Sequence, residues 1–169
     1  MKQSEHAATA ANCRATLPGE DALTRSQHPN IDASLLAAYQ AALYRVDAAP
    51  TPFVLRIGER SLSLADLHAL HRVTCSAYVT ACNPHGMLQA DAQNRRAQAR
   101  LERELAERGY AVYGGAGTDA DGDWPGEPSL LVLGIERPDA IDLGRAYGQN
   151  AIVWCGANAV PELVLLTRR

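Results

Sequence analysis

The feature that most constrains the fold is one long helical segment, residues 91–109, with the sequence DAQNRRAQARLERELAERG. Its interior contains no glycine or proline, and Gly109 stands where a helix commonly ends. Apolar residues recur along it at spacings of seven, four and four, at Ala90, Ala97, Leu101 and Leu105. This period predicts an amphipathic helix that packs one face against a layer of other elements.

Short apolar runs bounded by turn residues predict strands on both sides of this helix. They are FVLRIG (53–58), CSAYVTAC (75–82), YAVYG (110–114), SLLVLGI (129–135), AIVWCG (151–156) and ELVLLT (162–167), the last two as a hairpin. Three further segments have helical patterns: 28–46, in which Leu35, Tyr39, Leu43 and Val46 recur at helical spacing, 61–73, and 138–148.

The element order is therefore αβαβαββαββ, which predicts an α+β fold. We expect a single domain over residues 31–169, with one mixed sheet of about five to six strands and helices packed on it. Residues 1–30 have no hydrophobic period and are rich in small, polar and charged residues, so they predict a disordered N-terminal tail.

Composition excludes several classes of function. The chain of 169 residues has a net charge of −3, so there is no overall basic field to attract nucleic acid or anionic lipid. Apolar stretches such as LLVLGI are far shorter than a membrane span, and no apolar signal segment follows Lys2. None of the four cysteines forms a CxxC pair, and HALH (68–71) has no further identifiable ligand. We expect a cytoplasmic protein with no metal, cofactor, nucleic-acid partner or membrane partner.

Asn94 is the most informative polar residue, because it falls on the apolar face of the long helix. An amide that faces inward is either hydrogen-bonded, as a brace for the preceding NPHG loop, or exposed to a pocket. Near the N-terminal turn, backbone N–H groups and the helix dipole favour an anion, and Arg95 follows directly.

Other polar residues stand at the ends of predicted elements. Asn83 ends a strand, Glu127 precedes one, and Gln149 and Asn150 lie between the last helix and the strand at Ala151. Side chains of neighbouring residues in an extended chain point to opposite faces. We therefore expect Asn83, Asn94, Glu127 and Gln149 to approach one another, with Asn150 turned toward the helix end.

Four pieces of the sequence resemble a mainly bacterial family, domain of unknown function 3293, over roughly residues 33–155. They are TACNP (80–84), Asn94 in the first turn of the next helix, WPGEPSLLVLG (124–134), and YGQNAIV (147–153). Cys82 departs from the resemblance, because many relatives have an aromatic residue there. A nucleophilic pair of Cys82 with His85 is therefore disfavoured. The resemblance implies no activity.

Two interpretations stay open. In the first, the domain binds a small polar or anionic ligand through Asn83, Asn94, Arg95, Glu127 and Gln149. Catalysis is left open in this interpretation, with Glu127 as the candidate general base. In the second, the chain is an interaction or regulatory module whose polar residues form a purely structural hydrogen-bond network.

Overall fold

The computed structural model describes residue 31, residues 33–119 and residues 126–166. The predicted tail 1–30 and Trp124 lie outside these residues. The described chain forms one α+β domain with four α-helices and seven β-strands. In chain order the elements are α1 (Ala33–Ala41), β1 (Leu43–Val46), β2 (Phe53–Leu55), α2 (Leu62–His71), β3 (Ser76–Val79), a short 3-10 turn (Pro84–Gly86), α3 (Asp91–Glu107), β4 (Ala111–Thr118), β5 (Glu127–Leu133), α4 (Arg137–Ala146), β6 (Ala151–Cys155) and β7 (Pro161–Leu165).

The strands form one sheet in the order β2-β1-β4-β5-β3-β6-β7. Each neighbouring pair is antiparallel, including the predicted β6–β7 hairpin. The expectation of a mixed sheet with about five to six strands was therefore wrong in both strand number and direction. The connections that carry a helix join strands of the same direction, β2 to β3, β3 to β4 and β5 to β6, but at least one antiparallel strand lies between the two strands in each case.

The additional strand is β1, which the helical period of residues 28–46 concealed. Helix α1 ends at Ala41 and the chain then becomes extended, so that Tyr44 pairs with Leu55 of β2 on one side and Gly117 of β4 on the other. Tyr44 and Val46 are buried on one face of the sheet, while Arg45 between them is exposed. This alternation is the period of a strand, and pairing with two neighbours outweighs the helical spacing.

Helices cover both faces of the sheet. On one face, α3 and α4 bury Leu101, Leu105 and Leu143 against strand residues such as Val132. On the other face, α2 buries Leu64 and Leu67 in a second apolar cluster. The central strand β5 serves both clusters, because alternate residues point to opposite faces. The sheet is therefore packed on both faces, and the turns that connect its strands lie at its two ends.

Strand β4 is longer than the predicted segment 110–114 and continues through the glycine-rich run to Thr118. The reason is close packing against β1. A Cβ atom on Gly115 would clash with the carbonyl oxygen of Arg45 and would stand 2.7 Å from the Tyr78 hydroxyl. That hydroxyl donates a hydrogen bond of 2.7 Å to the same carbonyl. The glycines therefore extend a strand here and do not begin a loop.

No helix in the described part of the chain has both the length and the apolar character needed to cross a membrane.

Candidate functional site

The candidate site is built on the turn that follows β3. This turn lies where β3 and β4 end and where β5 and β6 begin, because the antiparallel registers bring these termini to one end of the sheet. Asn83 adopts a left-handed conformation with φ +46°, and His85 does so with φ +60°. Such conformations are uncommon outside glycine, although asparagine tolerates them well. The left-handed conformations in this turn are therefore stabilised by contacts with neighbouring residues.

Asn94 of α3 provides the main contacts that hold the turn. Its Oδ1 accepts the backbone N–H of Asn83 at 3.0 Å, and its Nδ2 donates to Asn83 Oδ1 at 3.0 Å. The backbone N–H of Gln89 donates to the same Oδ1 at 2.9 Å. Because two backbone N–H groups take part, the orientation of both side-chain amides is determined by the hydrogen bonds.

This orientation directs the Asn83 side chain toward an acid. With Oδ1 accepting two hydrogen bonds, Nδ2 points to Glu127 and donates to its Oε1. Glu127 is the first residue of β5 and is half-buried. Its second oxygen, Oε2, has no hydrogen bond to any other described residue. The carboxylate is therefore positioned by an amide and still has an oxygen available for a ligand.

Gln149 approaches the turn after β3, as expected, but it also reaches the helix end that was expected of Asn150. Gln149 Nε2 donates to the carbonyl of Cys82 at 2.9 Å and to that of Tyr147, at the end of α4, at 3.3 Å. Asn150 does not turn toward the helix end. It is 8% exposed, and its side chain lies near the hydroxyl of Tyr39. The longer side chain thus ties two segments together, while the shorter one faces inward.

A cavity of about 490 Å³ opens beside these groups, and we call it the first cavity. Helix α1 and β1 form one wall, and the gathered strand ends form the other. Its polar wall contains Thr80, Asn83, Glu127, Ser129, Gln149 and Asn150. Its apolar wall includes Leu35, Tyr39, Tyr44, Leu88, Ile152 and Leu163. A volume of this size suits a small organic molecule.

The charges around the first cavity are acidic. Among its described lining residues, Glu127 and Asp119 are the charged ones, and no lysine, arginine or histidine is present. Burial raises the pKa of the Tyr39 hydroxyl, the nearby Asn150 side chain lowers it, and the carboxylate of Glu127 raises it. Tyr39 is therefore a neutral hydroxyl at neutral pH, and the cavity favours a neutral or cationic group over an anion.

Two predicted site residues lie apart from the first cavity. Arg95 is exposed on α3 and lines neither this cavity nor the one described next. Asn94 lies on the opposite side of the turn from Glu127, where it lines a second cavity between α3 and the end of α4. The Asn83–Asn94 pair thus forms part of the partition between two cavities.

The cysteine and histidine motifs do not form a reactive centre. Cys82 is 1% exposed, and burial raises the pKa of its thiol. His68 is buried against the Ser76 hydroxyl at 2.9 Å, and His71 is paired with the Tyr113 hydroxyl at 2.7 Å. Within the described ranges, no group of three or more His, Cys, Asp and Glu side chains could hold a metal ion.

Comparison with known proteins identifies the segment that carries these residues. Residues 79–152 match the sequence model of a family described as a protein of unknown function, DUF3293. Over this segment the chain is similar to the DUF3293 family. Separate searches of curated proteins and of solved structures found no match.

The DUF3293 match is shorter than the predicted resemblance over residues 33–155, but it contains the turn after β3, Asn94, Glu127 and both amides before β6. The α1 wall of the first cavity lies outside it. Sequence reasoning missed Tyr39 as a site residue and assigned it to an apolar face. Its hydroxyl was the available signal, because a buried tyrosine hydroxyl needs a hydrogen-bond partner.

Proposed function

We propose that this protein binds a small molecule in the first cavity, with an apolar body against α1 and a hydrogen-bond-donating head at Glu127. The observation that carries this proposal is a cavity of about 490 Å³ whose polar wall contains a pre-oriented carboxylate. Cavities that bind small molecules typically combine apolar walls with a few convergent polar groups.

The head group is neutral or cationic in this proposal. Glu127 Oε2 accepts a hydrogen bond, and the charge of Glu127 repels an anion. The anionic ligand that the sequence suggested is therefore disfavoured in this cavity. The Tyr39 hydroxyl lies near Asn150 and can donate to or accept from the same head group.

The purely structural interpretation is favoured for one part of the network only. Asn83 and Asn94 satisfy each other and hold the turn, which is a structural role. Glu127, Tyr39 and Asn150 also line an open cavity, and hydrogen bonding within the fold does not require one there. The proposal concerns binding rather than a reaction, because the described lining groups near Glu127 are amides and hydroxyls without an identifiable activating base.

The proposal is tested with three ligands that share one shape and differ in charge: phenethylamine, 3-phenylpropanamide and 3-phenylpropanoate. Each is titrated against the protein while the melting temperature is measured, because a ligand specific for the folded state stabilises it. We expect a saturable increase with the amine or the amide and none with the carboxylate. Glu127→Gln keeps an oxygen for Asn83 but should abolish the preference for the amine.

A matched pair of variants shows whether the first cavity is the site. Ala38→Phe places a ring at the cavity wall on α1, whereas Ala37→Phe adds the same ring at an exposed neighbouring position outside the cavity. We expect Ala38→Phe to remove the ligand-induced shift and Ala37→Phe to retain it. A preference for the carboxylate, or equal binding by both variants, would refute the proposal.

A further inference from the structure

The second cavity differs from the first in charge. It has a volume of about 510 Å³ and lies between the N-terminal half of α3 and the end of α4, with the turn at His85 along one side. Arg100 and Arg145 line it from the two helices. No aspartate or glutamate is among its described lining residues. The described lining of this cavity therefore carries the two arginine charges and no carboxylate, although the whole chain has a net charge of −3.

Arg100 is held in position by an aromatic ring. Its guanidinium carbon lies 5.1 Å from the centre of the Tyr147 ring. That hydroxyl donates to Glu104 Oε2 at 2.7 Å, so the ring itself is anchored. An arginine that is already ordered loses less conformational entropy on binding than a free one.

One contact of Arg145 is an exposed ion pair. Its Nη1 lies 3.5 Å from Asp142 Oδ1, and the Asp142 side chain is 78% exposed. Exposed ion pairs of this kind contribute about 0–1 kcal/mol, because solvent and salt screen them. A bound oxyanion can form a stronger, two-pronged interaction with the guanidinium.

The remaining walls complement an oxyanion as well. Side-chain amides of Gln89 and Gln93 and the ring of His85 line the cavity and provide further hydrogen-bond donors. The backbone of His85 is fixed next to the end of α4, since its backbone N–H donates to the Gly148 carbonyl at 2.7 Å. Gly148 is required there, because a Cβ atom would come within 3.0 Å of two His85 ring atoms.

We infer that the second cavity is a binding site for the carboxylate or phosphate group of a small molecule, with Arg100 and Arg145 as its principal ligands. This site is separate from the first cavity and does not depend on the function proposed there. The sequence suggested an anion near Asn94 with Arg95 beside it. The structure places Asn94 in the cavity wall and provides two arginines, one and a half turns along α3 and at the end of α4.

The inference is tested by NMR titration of the full chain with sodium phosphate and with sodium acetate, each against sodium chloride at equal ionic strength. We expect saturable shifts of backbone amides at Ala81, His85, Asn94 and Gly148 with at least one oxyanion. Arg100→Gln combined with Arg145→Gln should weaken binding at least tenfold. Arg95→Gln combined with Arg96→Gln removes the same charge from the exposed side of α3 and should change it less than twofold.

The phosphate and acetate titrations distinguish phosphate from carboxylate recognition, because only the preferred anion should give shifts that saturate at low concentration. Shifts that follow ionic strength without saturating, shifts that map away from the cavity, or equal weakening by the Arg95/Arg96 pair would overturn the inference. If the double variant Arg100→Gln/Arg145→Gln loses its native spectrum, the single variant Arg145→Gln is tested in its place, because it leaves the Arg100–Tyr147 contact intact. Unchanged oxyanion binding by Arg145→Gln would also overturn the inference.

Discussion

Asn83 and Asn94 show how two residues can position a third. The left-handed backbone at Asn83 exposes an N–H that no strand neighbour accepts, and Asn94 supplies the acceptor. The reciprocal hydrogen bond then leaves Asn83 Nδ2 with one direction in which to donate, toward Glu127. The carboxylate in the first cavity therefore depends on an amide that lies on the far side of the turn.

The first prediction concerns the stability that this pair contributes. Asn94→Ala removes both hydrogen bonds and leaves the Asn83 N–H without its partner, so it should lower the free energy of unfolding by about 1–3 kcal/mol. Arg95→Ala, at an exposed neighbouring position, should change it by less than about 0.5 kcal/mol. Urea unfolding measures both. Equal stability of the two variants would show that the pair does not hold the turn.

The second prediction concerns Cys82. Its thiol is 1% exposed and its pKa is raised by burial, so little thiolate forms at neutral pH. Alkylation with iodoacetamide at pH 7, followed residue by residue by mass spectrometry, should modify Cys82 at least about tenfold more slowly than glutathione. In urea the two rates should become equal. A native Cys82 that reacts faster than glutathione would restore the nucleophile hypothesis.

Much of the site could be predicted residue by residue, but its internal geometry could not. Asn94 stood out because an amide interrupts an apolar face, and Asn83 because it ends a strand. Whether Gln149 or Asn150 faces inward depends on where Cys82 and Tyr39 lie, and those contacts are distant in sequence. Period-two alternation predicted that one of the two amides would face away from the site, whereas both line the first cavity because neither lies within a strand.

At the scale of elements, helices were easier to predict than strands. Helix α3 carries its own signal, since its apolar period and Gly109 are local. Strand β1 has only four residues and follows α1 after a single residue, so its identity depends on pairing with β2 and β4. The extension of β4 through glycines likewise depends on β1, since the glycines make room for its backbone.

The third prediction tests that dependence with two neighbouring glycines. Gly115→Ala places a methyl group against the Arg45 carbonyl and the Tyr78 hydroxyl, whereas Gly114→Ala places it in open space. Overpacking of a tight contact typically costs about 1–3 kcal/mol and sometimes more. We expect Gly115→Ala to lose at least that much stability in urea unfolding. Gly114→Ala should match or slightly exceed the original protein. The reverse order would contradict the observed β1–β4 register.

At the scale of the whole molecule, the sheet brings chain segments that are far apart to one end. The α+β class was confirmed, because alternating helical and strand periods are visible in the sequence. The strand order and the antiparallel direction were not visible, since they are set by pairings such as β3 with β5, between residues more than 50 positions apart. The two cavities, one lined by acidic and one by basic side chains, lie on either side of the turn after β3 at this end of the sheet.

The fourth prediction is a loss of stability at alkaline pH. Burial raises the pKa of the Cys155 thiol from its ordinary 9.0 to about 12. Burial also raises the pKa values of Tyr44 and Tyr78 above their ordinary 10.0. Below pH 9 both the folded and the unfolded chain keep these protons, so the contribution of these groups to stability is complete. Above pH 9 the unfolded chain releases the Cys155 proton while the folded chain retains it, and the free energy of unfolding must fall.

Urea unfolding at intervals from pH 7 to pH 10.5 measures this effect. Each such group lowers the free energy of unfolding by at most about 1.4 kcal/mol per pH unit. Cys155 titrates first in the unfolded chain, so Cys155→Ala should reduce the decline that begins near pH 9 while the later decline from the tyrosines persists. The change of slope is the readout, because the cavity left by the substitution lowers stability at every pH. An identical alkaline slope in both proteins would show that the Cys155 thiol ionises equally well in the folded state.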